Sequence, residues 1–137
     1  MTRFKVAGKV RGKPRPRFST VGGHARSYTP ASQLEYERSI GKAYKDAGGV
    51  RLDGPVSVLI VTHRQLPKST PKSVLMQPDT MKPDADNIAK TVLDGLNGKA
   101  FKDDSQVTTL KVIKAPRMRN VEGVDILEVV VTQDISD

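Results

Sequence analysis

The run Lys82-Pro83-Asp84-Ala85-Asp86-Asn87 sets two carboxylates two residues apart, just ahead of an apolar stripe at helical spacing. If Asp84 and Ala85 are extended, Asp84 and Asp86 point to one side, because extended side chains repeat every two residues. Carboxylates held that close repel unless a cation lies between them. Mg²⁺ suits such a pair, since it takes oxygen ligands and commonly binds one or two carboxylates plus phosphate oxygens of a substrate. The plainer alternative is an Asx turn with a helix cap, which Asp and Asn supply routinely.

Further residues extend the pattern. Asp86, Lys90, Asp94 and Asn97 recur at intervals of four, four and three, so they share one helix face with a lysine between two carboxylates. The ordinary alternative is an i,i+4 ion-pair ladder worth a few tenths of a kcal/mol per pair. Phe101-Lys102-Asp103-Asp104-Ser105-Gln106-Val107 then puts a second acidic pair just before a strand. Helix, short turn and returning strand are expected to bring Asp104 back near the helix start. On its own this segment reads as a polar turn.

Charge says what such a site would act on. The chain carries a net +8, and the excess is uneven. Residues 1–51 hold 12 Lys and Arg against 3 acids, whereas residues 52–137 hold 11 against 12. A basic N-terminal part beside a neutral body points to a polyanion, most commonly nucleic acid. Residues 9–28 form the basic arm, where Lys13, Arg15, Arg17 and Arg26 can neutralise phosphates and Phe18 and Tyr28 can stack on bases. Packing of this arm on the edge of the core is the competing use.

The elements that must position these residues are readable in outline. Residues 4–10 alternate loosely as a strand, and Gly22-Gly23 fits a turn between two extended pieces of the arm. Thr29-Pro30 opens a helix with Tyr36, Ile40, Ala43, Tyr44 and Ala47 at helical spacing, stopped by Gly48-Gly49. Residues 55–61 read as a strand and residues 64–83, with four prolines, as a long exposed loop. The helix that starts near Asp86 has Ile88, Val92 and Leu96 as its stripe and Gly98 at its end. Residues 107–112 and 124–131 are strands separated by a basic loop around Arg117 and Arg119. The order β-α-β-α-β-β, with a possible hairpin in the arm, predicts an α+β fold: one mixed sheet with two main helices packed on it, in a single domain over residues 1–137.

Exclusions narrow the field. There is no cysteine, so disulfides and thiolate-held zinc are out, and His24 and His63 are the only histidines. No apolar run approaches the roughly 20 residues that span a bilayer, and no secretory signal opens the chain, so a cytoplasmic location without membrane contact is expected.

The motif of residues 82–107, Lys82-Pro83-Asp84-Ala85-Asp86-Asn87, Lys90, Asp94, Leu96-Asn97-Gly98 and Asp103-Asp104-Ser105-Gln106-Val107, resembles the RusA family of Holliday junction resolvases. The likeness is weaker over Gly12 to Tyr28. Several fixed gaps make this far more specific than a lone Asp-x-Asp. The resemblance implies small dimeric endonucleases, widespread in phages and prophages, that act in DNA recombination and repair. Carried over by position, the metal-binding carboxylates fall on Asp84, Asp86 and Asp104 and the functional lysine on Lys90, with Asp94 and Asp103 in supporting places. The implied chemistry is Mg²⁺-dependent hydrolysis of a phosphodiester, with Mn²⁺ as a substitute, leaving a 5′-phosphate and a 3′-hydroxyl. A four-way junction has approximate two-fold symmetry and two strands to cut, so a C₂ homodimer with one site per chain is expected.

Three other readings fit parts of the pattern. A nucleic-acid-binding module without catalysis would use the aspartates as caps and ion-pair partners. A nuclease of the same chemistry could act on flaps, other branched DNA or RNA. A nucleotide-sugar transferase could hold Mn²⁺ on Asp84-Ala85-Asp86, although it would need a larger nucleotide-binding domain and gives the basic arm no role.

Overall fold

The computed structural model describes residues 1–13, 17–21, 24–28 and 30–134, and for residues 17–28 it describes only the backbone of two strands. The strands are β1 (Thr2–Ala7), β2 (Arg17–Val21), β3 (His24–Tyr28), β4 (Val56–His63), β5 (Met76–Gln77), β6 (Val107–Lys114), β7 (Arg117–Met118) and β8 (Ile126–Gln133). Helix α1 spans Ala31–Asp46, α2 spans Ala85–Leu96, and a short 3₁₀ turn covers Asp104–Gln106.

Four strands form the main sheet in the order β1-β8-β4-β6. β8 runs antiparallel to β1 and β4, while β4 and β6 run parallel. The parallel pair follows from the connection, because a strand that returns beside its predecessor in the same direction needs a crossover, and α2 lies on that crossover. The sheet is therefore mixed, with two helices packed on it, as the pattern of the chain predicts.

One face of the sheet carries most of its buried side chains, mainly apolar and alternating along the strands. Val56, Val58, Ile60 and Thr62 on β4 are buried, as are Leu127, Val129 and Val131 on β8 and Phe4 and Val6 on β1. Ile40 and Tyr44 from α1 and Ile88, Val92 and Leu96 from α2 close the same core, with Ala100 and Phe101 beneath the end of α2. The helices touch through glycines. A Cβ on Gly41 would lie 2.8 Å from the Gly95 carbonyl oxygen, and one on Gly95 would lie 2.8 Å from the Glu37 carbonyl oxygen. No helix among the described residues is long and apolar enough to cross a membrane.

Two differences from the sequence expectation matter for the site. The first strand ends at Ala7, because Gly8 adopts φ +118° and turns the chain, while Val10 still tucks into the core. The twenty-residue loop after β4 is tied down. Arg119 donates to the carbonyls of Val74, Thr70 and Pro71, Arg117 donates to that of Gln65, and the buried Asp79 carboxylate takes Arg64 at 3.2 Å. The two-residue strands β5 and β7 pair across it, with Met76 opposite Met118. Arginine has the reach and donor count to satisfy several loop carbonyls at once, which short strands cannot do.

Candidate active site

Helix α2 carries the acidic motif at its N-terminal end. Asp84 is the residue before the first helical turn, with extended backbone (φ −70°, ψ 155°), and its carbonyl accepts the Ile88 amide at 3.0 Å. Its side chain makes no capping hydrogen bond. Asp86 lies in the first turn, and both aspartates are exposed. The strand-like spacing expected over Asp84-Ala85-Asp86 is corrected at this point, since the helix already begins at Ala85. The partial positive charge at a helix N-terminus favours anions there, which offsets part of the repulsion between the two groups.

Neither of the bland uses of this motif is realised. Asp84 is not a side-chain cap, and no ion pair among the described residues involves Asp84, Asp86 or Lys90. The ladder along the helix face does not form either: Asp94 instead takes Lys13 from the arm, at 2.9 Å. Among the described residues, Asp84, Asp86 and Lys90, all within the first two turns of α2 or at its start, are thus without an ion-pair partner.

The arm packs against that end. The Lys13 amide donates to the Asn87 carbonyl at 3.0 Å, and a Cβ on Gly12 would meet Pro83 Cβ at 2.6 Å. A side chain at Gly12 would push the arm off the start of α2. Lys13 Nζ also reaches Glu37 at 3.1 Å, and the buried Gln33 donates to both Glu37 and Thr91, so a line of polar contacts joins arm, α1 and α2. Burial pulls the Lys13 pKa down, but the hydrogen bonds and charges of Asp94 and Glu37 outweigh it and the net direction is upward. Lys13, expected as a DNA contact, thus has its ammonium held by two carboxylates. Arg15 lies outside the described residues, as do the side chains of Arg17 and Arg26.

Between arm and helix start is an open cavity of about 640 Å³, lined among others by Lys9, Arg11, Lys82 and Asp84. Lys82 opens the acidic motif and Lys9 and Arg11 fall in the basic arm, but none of the three is among the site residues expected from the sequence. The signal for Lys82 was its place two residues ahead of Asp84, and for Lys9 and Arg11 only the general charge of the arm. Cations facing a free carboxylate are what a metal-assisted site on a phosphodiester requires: some groups to hold the backbone and others to hold a metal.

Asp104 is elsewhere. It opens the 3₁₀ turn before β6, where Gln106 Nε2 donates to the carbonyls of Leu52 and Gly54. That is the end of the sheet where β4 and β6 begin and where α2 finishes. The α2 start lies at the opposite end, beside Gly12 and Lys13. The expected return of Asp104 to the helix start does not occur within one chain, because Asp104 precedes the returning strand instead of following it. The 12 residues of α2 alone span roughly 18 Å at 1.5 Å each. Consistently, no group of three His, Asp or Glu among the described residues could hold a metal ion. Asp103 serves the turn: Ser105 Oγ donates to its carboxylate at 2.6 Å, and that bond chiefly holds its pKa below the usual value.

The cavity sets Lys9, Arg11 and Lys82, groups able to hold phosphates, beside Asp84, a group able to hold a metal ion. The family model described as "Endodeoxyribonuclease RusA" matches residues 7–126, so the chain belongs to the RusA family of endodeoxyribonucleases, whose substrate is Holliday junction DNA. It is also 35% identical over 122 residues to a Bacillus subtilis (strain 168) protein described as "Uncharacterized protein YqaN", in an alignment covering 82% of this chain and 85% of the relative.

Proposed function

We propose that this protein is a Mg²⁺-dependent, structure-selective endodeoxyribonuclease that resolves Holliday junctions by paired nicks in recombination and repair. The observation that carries the reading is that Asp84 and Asp86, exposed and in no ion pair among the described residues, stand at the start of α2, where Asp84 lines a cavity with Lys9, Arg11 and Lys82. Those cations would hold the scissile strand by its phosphates, with Arg15, Arg17 and Arg26 of the arm extending the hold. Lys90, one turn beyond Asp86, would stabilise charge as it grows on the phosphate.

One chain offers a divalent cation two of the three expected ligands. Mg²⁺, or Mn²⁺ in its place, often binds through one or two carboxylates plus substrate oxygens, so the pair suits it. Such an ion would polarise the phosphate and acidify water. The third carboxylate fits a homodimer. Strand β6 is an edge of the sheet. A two-fold axis perpendicular to the sheet beside β6 pairs the two edges antiparallel and carries Asp104 of one subunit toward the α2 start of the other. Asp84, Asp86, Lys90 and a second copy's Asp104 would then form each of two symmetric sites.

The test is cleavage of a synthetic four-way junction with and without Mg²⁺, run beside binding for the Asp86→Asn variant. Cutting should fall by about 100-fold or more, the scale of several kcal/mol of metal-derived stabilisation. Junction binding should stay equal or tighten, since a phosphate-repelling charge is gone. Undiminished cutting by the variant, or no cutting by the unsubstituted protein, overturns the reading.

A further inference from the structure

Only part of the N-terminal positive charge lies on the arm. Arg38, Lys42 and Lys45 are on α1, at positions that share one helical face with Leu34 and Gly41. That face borders a groove of about 500 Å³ between α1 and the C-terminal half of α2, with Lys99 on its far rim. The glycine contact between Gly41 and Gly95 forms its floor, where the absence of Cβ atoms lets the helices meet while the long side chains stand up on either side.

The charges in this groove are unbalanced. Glu37 and Asp94 also line it, but both carboxylates are already bound to Lys13 Nζ. Lys42 meets Asp46 at 2.7 Å, an exposed pair that water and salt screen heavily. Among the described residues no ion pair involves Arg38, Lys45 or Lys99. A solvated helix face ordinarily intersperses its signs, whereas this one presents cations to a concavity.

The groove also continues from the site. Lys13 lines the cavity beside Asp84, and its two partners line the groove, so one salt-bridged wall separates the two hollows. Together they follow α2 over its length of roughly 18 Å, the axial rise of about five phosphates of one strand at 3.4 Å each.

We propose that the groove between α1 and α2 is a second phosphate-backbone site, in which Arg38, Lys42, Lys45 and Lys99 hold a duplex arm leading away from the cut. The proposal rests on the nuclease reading for its ligand, nucleic acid. A short peptide or a free anion would not span both hollows, from the groove across the Lys13 wall to Asp84.

The experiment measures affinity for a fluorescent four-way junction with long arms, without divalent ions, over a range of salt. Arg38→Ala combined with Lys42→Ala and Lys45→Ala should lower the slope of log Kd against log salt by about 2–3, at roughly 0.9 per lost phosphate contact. Lys99→Gln alone, which keeps its packing against Gly41, should lower it by about 1. Neutralisation of Arg3 and Lys5, both exposed on strand β1, should leave the slope unchanged. An unchanged slope in the groove variants, or an equal fall in the β1 control, overturns the proposal while leaving the nuclease reading intact. Failure of the unsubstituted protein to bind any junction overturns both. Loss of cutting alone touches neither measurement, because no divalent ion is present.

Discussion

Lys13 Nζ lies 2.9 Å from Asp94 Oδ2 and 3.1 Å from Glu37 Oε2, so one ammonium on the arm closes over both helices. Its removal would leave two carboxylates facing each other with no cation between them. Lys13→Ala should therefore destabilise the protein by about 0.5–1 kcal/mol, a modest cost because all three groups are partly exposed. The more local readout is amide exchange at residue 13, whose N–H bonds Asn87 and should exchange faster once the arm loosens. Unaltered exchange in the variant would show that the backbone contact holds the arm by itself.

The Gly95 contact offers a sharper test of how the helices are placed. An Ala there gains up to about 1 kcal/mol of helix propensity. Against this, its Cβ would sit 2.8 Å from the Glu37 carbonyl oxygen and 2.9 Å from Ile40 Cβ, neither of which is the free end of a flexible chain. Gly95→Ala should cost about 1–3 kcal/mol net, read as a lower midpoint of chemical unfolding. A variant as stable as the parent would mean the helices can separate without loss.

What the sequence made legible was whatever its local periodicity encodes. The Ile88, Val92 and Leu96 stripe placed α2, and alternation placed β4 and β8, because burying one face imposes a period along the chain. The candidates Asp84, Asp86 and Lys90 stand out in the sequence by type and spacing. That no ion pair among the described residues takes them is not readable there, since the Lys13–Asp94 contact that claims Asp94 joins residues 81 apart in the chain. Asp104 lies away from the start of α2 because β6 begins at the helix's far end, so the turn after α2 does not lead back along the helix. Strands β5 and β7 are two residues each and leave no periodic trace.

Alkaline pH should expose Tyr36. Burial pushes its phenol up to about 12, from an ordinary value of 10.0. Below pH 10 the hydroxyl is protonated in both folded and unfolded chains, and its contribution to stability is complete. Between pH 10 and about 12 the unfolded chain loses the proton while the folded one keeps it, so stability falls as pH rises. The loss amounts to on the order of 2 kcal/mol once the folded pKa is passed. Tyr36→Phe should flatten the decline over that window, measured as unfolding midpoint against pH. An equal decline in the variant would assign the effect to other groups.

The separation of Asp104 from Asp84 and Asp86 makes a prediction that ordinary single mutants cannot. If each site takes Asp104 from the partner, Asp86→Asn and Asp104→Asn chains are inactive alone yet complementary when mixed. In a mixed dimer one site combines both substitutions, and the other combines the intact Asp86 of one chain with the intact Asp104 of its neighbour. With random exchange of C₂ dimers, half are mixed and each has one good site, so about a quarter of the parental nicking activity should return. Because each such dimer cuts one strand only, the product should be nicked junction in place of resolved duplexes. A site formed within one chain predicts no recovery at any mixing ratio, since every chain then carries a defect in its own site. Recovery of single nicks with no paired resolution is the signature of carboxylates shared across the two-fold axis.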